Sequence, residues 1–183
     1  REAVRFAGVE GGEARDVVYV VDASGSMVSA MPDVKRMLLR SLSRLDPTQR
    51  FCVLFFRRGG FVGVEGEGRG ARLRRASASN LSAARGWVEG VSPGGLSDPL
   101  GALRAALSME PDVVFVLSSA VKTAGGWEPD ADGVMAALDG LNPRAGGGRR
   151  VRIEAIQFLR PDVGGLLKRI GNEHGGCRLL SRP

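Results

Sequence analysis

Five consecutive apolar residues, Val17-Val18-Tyr19-Val20-Val21, run directly into Asp22-Ala23-Ser24-Gly25-Ser26. A β-branched and aromatic run with charge only at its ends offers apolar side chains to both sides, so it reads as a central strand buried on both faces. Such strands belong to parallel sheets covered by helices above and below, which restricts the chain to an α/β architecture. The same alternation recurs along the chain. Pro32 to Leu45 places Val34, Met37, Leu38, Leu42 and Leu45 on one helical face and stops at Asp46-Pro47. Phe51–Phe56, Val113–Leu117 and Val151–Phe158 read as further strands, and Arg178–Leu180 as a short last one. Helices are expected from a cap at Asn80 to about Glu89, over Leu100–Met109, over Ala131–Leu141 and over Val163–Ile170. Gly175–Gly176 is expected to end the last helix with a left-handed turn.

Less regular stretches lie between these elements. Phe61–Val64 and Ala71–Arg74 read as a hairpin or edge strand about a polar turn at Glu65–Gly70, and a loop passes through Gly125–Gly126. Val4–Val9 reads as a short edge strand within a lead-in at residues 1–15. The expected fold class is therefore α/β, with a doubly wound, mostly parallel central sheet, helices on both faces and one antiparallel edge strand or hairpin. Residues 1–183 are expected to form a single domain, monomeric in isolation. The chain begins at Arg1, not Met, and is read as a piece excised from a longer protein; its compartment is not encoded.

Twenty-six Lys and Arg against 20 Asp and Glu give a net charge of +6, which raises the question of nucleic acid. The basic residues are nearly all arginines, and they are scattered except at Arg57–Arg58, Arg72–Arg75 and Arg149–Arg152. Aromatic residues are only 5%, too few for base-stacking platforms, so solvated surface charge is the preferred reading. No apolar run is long enough to cross a bilayer. Cys52 falls in an apolar strand and Cys177 stands near the far end, a spacing that fits neither a zinc site nor a disulfide framework.

Ligands of open α/β sheets bind at the carboxyl ends of the strands. There Asp22, Ser24 and Ser26 can converge three hard oxygens, with Gly25 allowing the tight turn between the serines. Hard oxygens suit Mg²⁺ or Mn²⁺. The plain alternative is a polar turn in which Asp22 only accepts backbone hydrogen bonds. Enzyme motifs are missing: there is no Gly-x-Ser-x-Gly, no Walker lysine and no dinucleotide fingerprint. The single histidine, His174, reads as a surface residue near a helix end, far from Ser24. A non-enzyme is expected.

The stretch Val17 to Met27 resembles the first strand and metal-ion-dependent adhesion site of von Willebrand factor type A domains. The resemblance runs from about Val4 to Leu180. It includes Pro32-x-x-Lys35, Gly94–Gly95 before a helix with Ala102-Leu103 and Ala105-Ala106-Leu107, and Pro111-Asp112-Val113-Val114-Phe115-Val116-Leu117-Ser118. It is nearest to the compact bacterial members and implies a Rossmann-like fold. The family's five ligand positions are matched unequally. Asp22, Ser24 and Ser26 match directly, Ser97 takes the place of the usual Thr after one extra residue, Leu96, and Asp98 follows as a helix cap or substitute acid. Where the family has its third-loop Asp, this chain has Ser119, followed by Ala120 in place of Gly. The resemblance implies Mg²⁺ or Mn²⁺ held by Asp22, Ser24, Ser26 and Ser97, with Asp98 and Ser119 as additional or supporting residues. It implies a protein partner whose exposed Glu or Asp completes the metal. A scaffold that needs no metal is the alternative, and a basic domain binding RNA or an anionic surface ranks third.

Overall fold

The computed structural model describes residues 3–119, 130–161 and 164–181; the loop expected at Gly125–Gly126 and the helix start expected at Val163 lie outside them. In chain order the first half forms β1 (Arg5–Phe6), β2 (Val9–Glu10), β3 (Asp16–Asp22), α1 (Met31–Leu42), β4 (Arg50–Arg57), β5 (Gly60–Gly63), β6 (Gly66–Glu67), β7 (Arg74–Arg75) and α2 (Ala78–Gly90). There follow α3 (Leu100–Ser108), β8 (Val113–Ser118), α4 (Ala131–Leu141), β9 (Arg144–Ala145), β10 (Gly148–Arg149), β11 (Arg152–Phe158), α5 (Leu166–His174) and β12 (Gly175–Leu180). Strand order in the main sheet is β12-β11-β8-β3-β4-β5-β6, with β7 also on β4. The first five of these are parallel, and β5, β6 and β7 are antiparallel. This is the doubly wound, mostly parallel sheet with an antiparallel edge that the hydrophobic pattern predicts.

Alternation along β3 divides the core in two. Val17, Tyr19 and Val21 pack with Val34 and Leu38 of α1 and Val88 of α2. Val18 and Val20 pack with Leu103 of α3, Leu138 of α4 and Ile170 of α5. Two helices thus cover one face and three the other, among the described residues. The missing cover on the first face comes from the N-terminus. Val4–Val9 is not an edge strand of the sheet: β1 and β2 pair only with each other and lie on that face. Phe6, fully buried, meets the rings of Tyr19 and Phe115 edge-on at centroid distances of 5.3 and 5.8 Å, and those two rings stack at 5.7 Å. Close approach requires Gly11, where a Cβ would stand 2.7 Å from Phe115 Cζ. The Tyr19 hydroxyl and Ser41 Oγ share a hydrogen bond at 2.8 Å, and Ser41 donates to the Arg5 carbonyl at 2.6 Å, tying the hairpin to α1.

Local signals differ from expectation in three places, the first being the edge hairpin: β5 turns back into β6 within the expected turn at Glu65–Gly70, and β7 pairs with β4 instead of β5. Ser77, not Asn80, caps α2, because its hydroxyl accepts from Asn80 N while the Asn80 side chain donates to the Arg75 carbonyl. The last helix runs on to His174, and Gly175 is extended (φ 171°), not left-handed, because the chain enters β12 at once. The β4–β5 turn holds Arg58 at φ 53° and Gly59 at φ 75°, the type I′ geometry that favours Asn-Gly. An arginine in the left-handed region costs about 1 kcal/mol.

Truncation of Phe6 tests the covering role of the hairpin. Phe6→Ala is expected to lose about 3–5 kcal/mol, the range for a fully buried phenylalanine. Urea unfolding would measure it, and a loss below about 1 kcal/mol would show that the hairpin does not close the core.

Candidate functional site

Asp22 ends β3, whose neighbours in the sheet are β4 on one side and β8 on the other. Connections leave β3 toward β4 and later return to β8 on the opposite side. Its carboxyl end is therefore the switch point where open α/β sheets bind ligands. Asp22 has no solvent exposure. Its Oδ1 accepts from Ser24 N at 2.7 Å, and its Oδ2 accepts from Ser97 Oγ at 2.7 Å and from Ser118 Oγ at 2.5 Å. Burial pushes the Asp22 carboxyl above its ordinary range, and the bonds from Ser118, Ser97 and Ser24 oppose that rise.

Backbone bonds bring the second loop to the first. Gly94 N donates to the Ala23 carbonyl at 2.8 Å and Gly25 N to the Gly95 carbonyl at 2.9 Å, which delivers Ser97 onto Asp22. The Ser24 and Ser26 hydroxyls lie 2.9 Å apart, Ser24 buried and Ser26 exposed. The structure thus gathers Asp22, Ser24, Ser26 and Ser97. Asp98 stands apart from that hydrogen-bonded group: its Oδ1 accepts from Leu100 N at 3.0 Å, the capping role. Ser119 is half-buried and makes no hydrogen bond to the Asp22 group among the described residues. Ser118 was not among the residues singled out from the sequence. The signal was parallel register: Val21 pairs with Leu117, so the next residues, Asp22 and Ser118, stand side by side.

Ser97 and Ser118 donate their single protons to Asp22, so their remaining lone pairs are acceptors for anything else that approaches. Hydroxyls so oriented, with one carboxylate behind them, match in kind the hard oxygen donors of Mg²⁺ or Mn²⁺. In charge the set is poor. Among the described residues no three His, Cys, Asp or Glu side chains come together as a metal cluster.

His174 is a correction. It is 2% exposed and lies where α5 enters β12, at the opposite end of the sheet from Asp22. Asn142 Oδ1 accepts from Val151 N, and its Nδ2 donates to the Val151 carbonyl and to His174 Nδ1 at 3.2 Å. Nδ1 is thus an acceptor and the ring is neutral, with Nε2 facing Asp139 at 3.6 Å. Arg149 closes this cluster by donating to the carbonyls of Asn142 and Glu173 and pairing with Asp139. The histidine is a structural core residue hidden beneath the β9–β10 hairpin.

No protein-family model matches the sequence, and comparison with curated proteins finds no match. Solved structures do match. A von Willebrand factor type A protein from Catenulispora acidiphila aligns with a TM-score of 0.71 at 16% identity, covering 95% of this chain and 40% of its own. The pilus adhesin SpaC from Lactobacillus rhamnosus GG aligns at 0.64 and 16%, covering 91% and 28%. The SpRpn10 VWA domain aligns at 0.54 and 11%, covering 93% and 88%. This chain spans less than half the length of the first two. The identities are low, so the likeness establishes the fold, and the fold is that of von Willebrand factor type A domains. No helix among the described residues is long and apolar enough to cross a membrane.

Two outcomes test the two ends of the sheet. Asp22→Ala leaves two buried hydroxyls and one N–H without their acceptor and is expected to destabilise by about 2–4 kcal/mol. Asp22→Asn keeps one acceptor oxygen but turns an NH2 group toward the donors of the other, so it should lose less than Asp22→Ala, about 1–2 kcal/mol; equal losses in urea unfolding would dismiss the hydrogen-bonding role. At the other end, burial first and Arg149 next lower the His174 pKa, against the opposing pull of Asp139 and Glu173. A depressed histidine means the unfolded chain binds the extra proton. Stability should hold above about pH 6.5 and fall below it by up to about 1.4 kcal/mol per pH unit. Urea unfolding between pH 7.5 and 5.0 should show this slope in the parent and a flatter one in His174→Gln.

Proposed function

We propose that this chain is a protein-interaction module that docks its partner at the carboxyl end of the sheet, around Asp22, and that it is not an enzyme. The observation that carries this is the convergence of Asp22 with the hydroxyls of Ser24, Ser26 and Ser97 from two loops at the switch point. Asp22, Ser24, Ser26 and Ser97 would hold a Mg²⁺ or Mn²⁺ ion, with Asp22 as the one charge of that set. What such an ion supplies is an open coordination position that accepts a carboxylate oxygen. Affinity for divalent ions follows ligand charge, and a partner's Glu or Asp would supply the charge that Ser119 does not. Binding of partner and metal would then be mutually dependent. The adhesin among the similar structures is in keeping with an interaction role.

A second reading, a scaffold that needs no metal, is favoured by one observation. Asp22 already has three hydrogen bonds, and Ser119 adds no charge. Its partner would meet the same face without an ion.

Calorimetric titration of Mg²⁺ and Mn²⁺ separates the two. Saturable heat that Asp22→Asn lacks is expected for the metal reading. No heat at millimolar ion, alone or with a carboxylate such as acetate present, would sink it in favour of the scaffold.

A further inference from the structure

The strained turn beside the site holds an arginine whose guanidinium has no partner among the described residues. Arg58 is exposed and adopts φ 53° at the position where a type I′ hairpin favours Asn or Gly. Its backbone N donates to the Leu96 carbonyl at 2.9 Å. Its side chain lies along Gly95: a Cβ there would stand 2.5 Å from Arg58 Cγ and 2.8 Å from Nε. Gly95 in turn accepts from Gly25 in the serine turn. One peptide thus separates Arg58 from the Asp22 group. The guanidinium makes no hydrogen bond or ion pair among the described residues. Asp98 is close to the same hairpin, its Oδ2 3.2 Å from where a Gly59 Cβ would be, but its other oxygen is committed to the α3 N-terminus.

Arg58 also borders a groove of about 300 Å³ shared with Arg57, Phe61, Val62 and Gly101. The Arg58 guanidinium and the apolar side chains of Phe61 and Val62 set the chemistry of what fits, since Arg57 already donates to the Ser92 carbonyl. We infer that Arg58 is a docking residue for a carboxylate of an acidic peptide segment in a protein partner, with a neighbouring apolar side chain of that segment in the groove. This rests on the docking face proposed above, not on the metal. A guanidinium holds a carboxylate with two parallel N–H donors, which a planar anion matches and a neutral amide does not. Leaving a left-handed arginine in place is explained by such a contact, since the turn itself would be better served by asparagine.

The test uses the whole chain in EDTA and two synthetic peptides, one alternating Glu and Leu, the other with Gln for Glu. Binding is read from the Arg58 side-chain Nε–H signal by nuclear magnetic resonance and from calorimetry. The Glu peptide is expected to shift that signal saturably at millimolar concentration, and the Gln peptide to leave it unmoved. Arg58→Asn, a substitution the turn geometry favours, should weaken the Glu peptide about tenfold or more while its melting temperature holds or rises. Equal binding by Arg58→Asn, equal binding of the Gln peptide, or no saturable shift would each overturn the inference. Those results leave the calorimetric metal titration untouched, so the metal reading can fail or stand separately; a Glu peptide that binds Arg58→Asn equally well would keep the docking face and remove only Arg58 from it. Vesicles containing anionic lipid serve as the last arm: binding them more tightly than the Glu peptide, with the same Arg58 dependence, would replace the peptide partner with a lipid surface.

Discussion

A carboxylate shut away from water must find donors, and Asp22 finds them in segments far apart in sequence. Ser97 and Ser118 lie 75 and 96 residues away, and each places a hydroxyl on the same oxygen. Leaving a buried acceptor unmet costs about 1–3 kcal/mol, which is enough to select one arrangement of the surrounding loops. The loop at 94–97 has no helix or strand of its own. It is held by two backbone bonds to the turn after β3 and by Ser97 on Asp22. Central strand, second loop and the end of β8 are therefore fixed relative to one another through one side chain. Everything the upper face can bind is positioned by that constraint.

Among the described residues the same carboxylate is the only negative charge in this hydrogen-bonded group, which bears on what the face can recognise. A divalent cation held there would leave a net positive charge, since serines supply oxygen but no charge. Arg58 adds another positive group across the Gly94–Gly95 loop, and the chain as a whole carries +6. On the proposed metal reading, the cation and Arg58 would both favour a negative charge brought by the partner, at the place where the family resemblance expects an acid and this chain has Ser119.

Much of the fold was legible because burial on both faces leaves a strong trace. β3, β4 and β8 are continuous apolar runs, and α4 occupies the same residues as its hydrophobic period. What stayed hidden depends on contacts between distant segments. Ser118 ends an apolar run, and only the register of β8 against β3 gives it Asp22 as a neighbour. His174 closes the polar string Gly171-Asn172-Glu173-His174, which looks solvent-exposed until Asn142 and Arg149 fold over it. The β1–β2 hairpin carries too few residues to announce that it covers a face left short of a helix. Ser77 and Asn80 are both good caps in isolation, and the choice between them came from the bond Asn80 makes to Arg75.

The two ends of the sheet use polar residues in opposite ways, and the difference bears on which end works. At the lower end, Asn142, Arg149 and His174 turn their groups inward: the ring accepts from Asn142 at Nδ1, while its buried Nε2 makes no hydrogen bond among the described residues. A buried polar network of that kind specifies structure. At the upper end the Asp22 carboxylate is met, and the outer groups face solvent: Ser26 is exposed beside Ser24, and the Arg58 guanidinium, on a left-handed backbone, makes no hydrogen bond among the described residues. Backbone strain alone does not choose between the ends, since Ala7, Glu110 and Leu159 are also left-handed. Strand polarity does: ligands of open α/β sheets gather at the carboxyl edge, where Asp22 and the exposed Ser26 stand. Topology, with the Arg58 guanidinium beside that edge, is the reason to look for the partner there.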